Sequence, residues 1–425
     1  MSKLLAVAAL AAGAALLVSL PSAPDTPRTP APVGVAAETS LHRSISAAQA
    51  RLRRTPADFT TWAALGSAYV EQARVTGDPA YYAKAQGALE TSLRHGPDNG
   101  WALIGLGALA NARHDFATAR DLAQRAVTAL PDTASARGVL ADATTQLGAA
   151  AEATEAVQRM LDLEPGVPSF TRAAYDLEQH GRVDAAREAL ERALEASVAP
   201  SDVVFCRYHL GELAFDNGDP EEAARQYDAG LSADPRDVTL LQGKAKVAAA
   251  AGRWDDALAG YHDLVDRVPL PQYRHEYANL LRASGRGAEA AEQFSLLDKQ
   301  FALIAAAGGQ DDLTASAVAA DRGDAAAALT LASAEWSRRH HPLVADALAW
   351  ALHLHGRDAE ALDLAEVAAS SGWRNAVFAF HRGTVLAALG RRAEAATALD
   401  TALAINPHFS FTDAGAARAT LAGLR

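Results

Sequence analysis

The chain has one cysteine, Cys206, two methionines and an aromatic content of 6%. A single thiol excludes an intramolecular disulfide, and with it the usual clue to the redox compartment. Cationic residues are also outnumbered, 39 Lys and Arg against 51 Asp and Glu, for a formal net charge of −12. Such a balance argues against general electrostatic attraction to nucleic acid and favours solubility. Catalytic constellations are missing as well. His275-Glu276 lacks the second histidine of a zinc-protease helix, and Gly105-Leu106-Gly107 has no preceding strand to make it a dinucleotide loop. Histidines gather at His340, His341, His353 and His355, but His353 and His355 are two apart on a helix and point to different faces. No metal site or cofactor is therefore expected, and a metal- or small-ligand-binding accessory role is a minor alternative.

What the chain has is a beat. A glycine followed five residues later by an alanine occurs at Gly148/Ala153, Gly181/Ala186, Gly218/Ala223, Gly252/Ala257, Gly285/Ala290, Gly323/Ala328, Gly356/Ala361 and Gly390/Ala395. Successive glycines lie 33, 37, 34, 33, 38, 33 and 34 residues apart, which makes the sequence an array of one repeated unit. Pro97, Pro131 and Pro165 keep a spacing of 34 and stop helices. Between glycine and proline, apolar and small residues fall at i, i+4, i+7, as in Ala223, Tyr227 and Gly230. A second such stripe runs from proline to the next glycine, so each period predicts two helices joined by a glycine turn. Gly66, Gly107, Gly211 and Gly383 in first helices, facing alanines in second helices, predict close antiparallel packing. The stretched intervals before Gly218 and Gly323 are the places where a bend is expected.

Trp62, Leu65, Gly66 and Tyr69, then Pro97, resemble the tetratricopeptide repeat, and so do Leu106, Gly107, Ala119, Ala126 and Pro131. The resemblance covers about ten repeats, beginning near residues 59, 100, 134, 167, 204, 238, 271, 309, 342 and 376. It implies an all-α fold, an α-solenoid wound as a right-handed superhelix. Ile45, Ala48 and Leu52 read as half of a further repeat, and Ala414, Ala417, Leu421 and Leu424 as a closing helix. The organisation expected is a signal peptide or membrane anchor at 1–23, a Pro/Ala-rich linker at 24–40, a first block at 41–300, an irregular joint at 301–312, a second block at 313–408 and a capping helix at 409–425.

The amino terminus bears on location. Leu4 to Leu20 is seventeen residues without a charge, long for a signal-peptide core and short for a span of ~20 residues. With Lys3 the one positive charge before it, the repeats are expected outside the cytoplasm, secreted or membrane-anchored at the cell envelope.

In a tetratricopeptide superhelix the first helix of each pair lines the concave face. Its exposed stripe would here present Tyr175, Tyr208, Glu212 and Asp216, then Gln242, Lys246 and His275, then Asn279, Arg282, Trp350 and His353. Amides, cations and rings in this mixture suit an extended peptide. The carboxylate clamp of chaperone adaptors is met in part only, by Lys246, Asn279 and Arg282. The expected function is a non-catalytic interaction scaffold that binds a protein or extended peptide in the concave groove, not an enzyme and not a nucleic-acid binder. A cytoplasmic regulatory or chaperone-like adaptor is the alternative.

Overall fold

The computed structural model describes residues 33–306 and 308–425. The segment read as signal or anchor (1–23), most of the linker (24–32) and Ala307 of the joint lie outside these residues. Twenty-two helices follow one another along the described chain, with no strand among them. After α1 (Val33–Arg54) come α2 (Phe59–Thr76), α3 (Ala80–His95), α4 (Gly100–Ala112), α5 (Phe116–Ala129), α6 (Ala134–Leu147), α7 (Ala150–Leu163), α8 (Val167–Gln179) and α9 (Val183–Glu195). The central helices are α10 (Pro200–Asp216), α11 (Pro220–Leu231), α12 (Val238–Ala250), α13 (Trp254–Arg267), α14 (Pro271–Ala283) and α15 (Gly287–Ala306). The array ends with α16 (Asp312–Asp321), α17 (Ala325–Arg338), α18 (Pro342–Leu354), α19 (Asp358–Ala369), α20 (Ala376–Ala388), α21 (Arg392–Ile405) and the closing α22 (Asp413–Leu424). Ten antiparallel pairs, α2/α3 through α20/α21, thus stand between α1 and α22, each helix packed on the next except across the joint between α15 and α16.

The beat has a local cause. All eight of its glycines adopt φ between 71° and 88°, the left-handed conformation in which a side chain is strained. Five residues on, Ala153, Ala186, Ala223, Ala257, Ala290, Ala328, Ala361 and Ala395 are at most 2% exposed, where the second helix touches the first. In the two leading repeats the glycine's place is held by Gly77 (φ 65°) and by His114 (φ 61°). Glycines inside first helices are pinned by neighbours: a Cβ on Gly211 would fall 2.2 Å from Tyr227, and one on Gly383 2.8 Å from Leu399. Many helices begin on a side-chain cap, as at Asp58, Asn99, Asp115, Asp219, Asp237, Asp311, Asp324 and Asn375. Each such cap is worth about 1 kcal/mol.

Two boundaries differ from the sequence reading. Helix α1 starts at Val33, inside the stretch read as linker, so 33–40 is helical. Helix α15 continues to Ala306 and α16 starts at Asp312, so the irregular joint narrows to 307–311. The stretched beats are absorbed in helix length. α10 has 17 residues and α15 has 20, where most of the array's helices have 12 to 14.

The array coils tightly enough for successive turns to touch. Arg339 Nη1 donates to Gln146 Oε1 at 2.6 Å, 193 residues away, and Asn406 Nδ2 donates to the Phe215 carbonyl at 2.9 Å, 191 residues away. Between five and six repeats therefore complete one turn. The His340 amide donates to the Leu147 carbonyl at 3.2 Å, and His341 Nε2 lies 2.9 Å from Gln179 Oε1. Glycine turns sit in this seam: a Cβ on Gly148 would lie 2.4 Å from the His340 carbonyl oxygen, on Gly181 2.3 Å from that of Gly372, and on Gly218 2.6 Å from that of Ile405. The shortened joint lies near it too, since Asp311 and the Gln310 backbone act on the His114 ring, whose pKa burial lowers.

Candidate interaction surface

This coiling changes the standing of the concave stripe. Of the eleven residues expected to line an open groove, five are buried: Glu212 at 6%, Gln242 at 3%, Lys246 at 2%, His275 at 1% and Asn279 at 5% exposure. Most of their polar atoms bond neighbours in adjacent repeats, while Gln242 Oε1 and His275 Nδ1 are buried without a hydrogen-bond partner among the described residues. Lys246 Nζ, on α12, donates to both oxygens of Glu212, on α10, at 2.6 and 2.7 Å, and the Tyr227 hydroxyl donates to Glu212 Oε1 at 2.6 Å. One repeat further on, Gln242 Nε2 donates to Glu276 Oε2 at 2.7 Å, and Tyr261 donates to the same oxygen at 2.9 Å. His275 Nε2 lies 2.6 Å from Asp321 Oδ2, which also accepts from Asn279 Nδ2 at 2.8 Å. These side chains are rungs between helices rather than an open lining.

Electrostatics follow the geometry. Burial works against the Lys246 ammonium, but the carboxylates of Glu212, Asp216 and Glu276 outweigh it and its pKa is raised. Burial raises Glu276, against the pull of Lys246 and two hydrogen bonds. Burial also opposes the Asp321 charge, yet His275, Asn279 and Arg282 together hold its pKa below the ordinary value. Tyr227 and Tyr261 are pushed well up, by burial first and then by the carboxylates they donate to, so each hydroxyl keeps its proton.

The other six expected residues are less enclosed. Arg282 is exposed and lies 3.8 Å from Asp321. Tyr208 and Asp216 are half-buried beside the Glu212–Lys246 pair, and Tyr175 is half-buried with its ring edge-on to Trp373. Trp350 stacks on His381 at 4.2 Å, and His353 Nδ1 lies 2.6 Å from Asp358. The structure brings the stripe together as three groups: Tyr208, Glu212, Asp216 and Lys246; His275, Asn279 and Arg282; Trp350 and His353. Gln242 joins Glu276, and Tyr175 stands apart.

Several participants escaped the sequence reading: Tyr227, Tyr261, Glu276 and Asp321, and the pairs Arg172–Asp142 (2.8 Å) and His381–Asp346 (2.9 Å). A signal was present. Glu212 and Lys246, like Gln242 and Glu276, are 34 residues apart, so complementary groups occupy equivalent places in successive repeats. Of the histidine cluster, His341 is fully buried in the seam and His353 is held by Asp358. No group of three or more His, Cys, Asp or Glu able to hold a metal occurs among the described residues. The Cys206 thiol is fully buried and its pKa is pushed up to about 11, by burial first. That holds it as the protonated, unreactive form.

The tetratricopeptide-repeat family model matches residues 81–132, 104–168, 171–238 and 208–269. No curated protein matches the chain. Among solved structures, the human IFIT1 dimer with m7Gppp-AAAA is 17% identical, with a TM-score of 0.50 over 74% of this chain and 72% of that one. TTC0263, a thermophilic TPR protein of Thermus thermophilus, is 22% identical, with a TM-score of 0.37 over 40% of this chain and 91% of that one. Yeast Tom70 is 13% identical, with a TM-score of 0.33 over 91% and 86%. Repeat matches, paired helices and left-handed glycine turns converge: the chain is an all-α solenoid, and the part of it within 81–269 is built of repeats that match the tetratricopeptide-repeat family, repeats of a kind that implies a scaffold for protein interaction.

Proposed function

We propose that the chain is a non-catalytic scaffold at the cell envelope that binds an extended peptide or a partner protein along its inner face. The observation that supports this most is the array of ten helix pairs between Phe59 and Ile405, interrupted only by the short joint at 307–311, which offers a long surface made of repeats throughout. The inner face keeps Tyr208, Asp216, Arg282, Trp350 and His353 within reach, and the buried rungs hold them in place. The envelope location rests on the uncharged run Leu4–Leu20. No described helix is long and apolar enough to cross a membrane.

Two measurements test the reading. Affinity capture from membrane and soluble fractions is compared between the wild-type chain and a Tyr208→Ala/Arg282→Ala variant. Loss of specific partners is expected, and an unchanged set contradicts inner-face binding. A topology reporter fused after residue 40 is expected to be active outside the cytoplasm. Activity confined to the cytoplasm favours the adaptor alternative.

A further inference from the structure

A groove of about 470 Å³ opens at the amino-terminal end of the array, on the outer side between α1 and α3. Its floor is apolar, made by Leu52 of α1, Trp62, Leu65 and Tyr69 of α2, and Ala88 of α3. Hydrogen bonds fix the two floor aromatics: Trp62 Nε1 donates to the Pro56 carbonyl and the Tyr69 hydroxyl accepts from Gln49, both at 2.8 Å. Arg53 and Lys84 stand on the rim, and no lining residue is acidic. Neither cation has a carboxylate partner among the described residues; Lys84 rests over the Tyr81 ring at 4.2 Å. In a chain of net charge −12, this is a local reversal of sign.

The fourth element of the groove is Gly87, exposed in the middle of α3. Glycine weakens a helix, so inside one it calls for a reason. The glycines at 66, 105, 107, 211, 243 and 383 each have one, since a Cβ there would strike a neighbour. A Cβ on Gly87 would meet nothing within 4 Å. The same place in other repeats, two residues after the packing alanine, carries Asp121, Glu155, Glu188, Arg225, Glu292 or Asp363, and in the remaining three Ala259, Thr330 or Thr397. Most repeats thus carry a long solvated side chain at this place, three carry Ala or Thr, and only beside the open groove is it a glycine that bares the backbone for close approach.

We infer that this groove docks an acidic, amphipathic segment of a partner protein, its large apolar side chain on Trp62, Leu65 and Tyr69 and its carboxylates on Arg53 and Lys84. Charge complementarity selects this occupant. Residues 1–32 of the chain itself contain a single acid, Asp25, against Lys3 and Arg28, and do not match the rim. Amphipathic segments lay an apolar face into a groove of this kind, and carboxylates add charge-assisted hydrogen bonds at its edge. The inference rests on the reading of the array as a protein-binding scaffold but places a second contact away from the inner face.

The test uses the full chain and an array of fluorescein-labelled ten-residue peptides that combine Leu, Ile, Phe or Trp with one to four Glu, each paired with its Glu→Lys counterpart. Acidic members are expected to bind and their lysine counterparts to bind at least tenfold more weakly. Gly87→Glu, which introduces the residue type found elsewhere in the array into open space, is expected to weaken acidic peptides at least tenfold while the melting temperature stays level or rises. Arg53→Ala/Lys84→Ala is expected to act in the same direction. Absence of any acidic binder, equal binding of the lysine peptides, or unaltered affinity in Gly87→Glu overturns the inference. So does self-association in sedimentation velocity that Gly87→Glu abolishes, which gives the groove to a second copy. A Gly87→Glu chain that captures every wild-type partner removes the groove and leaves the scaffold reading standing.

Discussion

Lys246 carries the clearest energetic prediction at the scale of single residues. At 2% exposure it makes two short hydrogen bonds to one carboxylate, and removing one member of such a pair strands a buried charge at about 3–5 kcal/mol. Urea denaturation of Lys246→Met is expected to show a loss of that size. The double variant Glu212→Gln/Lys246→Met is expected to recover most of it, because no charge is then left unpaired. A double variant no more stable than the single one contradicts the rung. His341 makes the companion prediction. Its ring is fully buried, with Nε2 against Gln179 and Nδ1 accepting from the Leu343 amide, which fixes the neutral form. Burial first, and the Arg339 charge second, hold its pKa well below the ordinary value. In the unfolded chain this histidine takes up a proton near pH 6.5, while in the folded chain it resists. Its contribution is therefore present above pH 6.5 and lost as the pH falls, by about 1.4 kcal/mol per unit. His341→Gln is expected to flatten the decline in melting temperature between pH 6.5 and 5, and an unchanged slope contradicts the assignment.

Within and between elements, the glycine turns separate two effects that the sequence presents as one. Gly252 and Gly181 share the left-handed conformation, with φ of 75° and 71°. A Cβ on Gly252 meets nothing, whereas on Gly181 it falls 2.3 Å from the Gly372 carbonyl of the next turn. Gly252→Ala is expected to lose only the backbone term, about 1–2 kcal/mol. Gly181→Ala adds overpacking of about 1–3 kcal/mol. Equal losses in thermal melts contradict contact between turns at this place. The same contrast shows what was legible beforehand. The turn at Gly252 has a local cause, so helix pairs, repeat starts and the packing alanines are all visible in the spacing. Equivalent charges 34 residues apart were visible as well, but read as ligand groups, because nothing local states how tightly the array coils. His340 with Leu147 and Asn406 with Phe215 leave no trace in the spacing, since their partners lie beyond any local pattern. Gly87 was not singled out by the spacing, because its meaning depends on the open space beside it.

For the molecule as a whole, the central claim is that the solenoid coils onto itself, so that part of its concave face becomes interior. Arg339 concentrates this contact: 4% exposed, it pairs with Glu335, donates to Gln146 and lies over the Phe116 ring at 5.0 Å. Arg339→Ala is expected to speed amide exchange at His340 and along the 146–149 turn more than at α12. Uniform exchange across all three contradicts a seam. Separation between turns gives the most direct measure. With Cys206→Ser as background, spin labels at the exposed positions Ala150 and Ser337 lie two and three residues from Gly148 and His340, which touch. Pulsed electron resonance is then expected to report a distance below about 25 Å. In an uncoiled array the five repeats between them, each advancing about 10 Å, would separate the labels by about 50 Å, and any dominant distance above about 40 Å contradicts the coil.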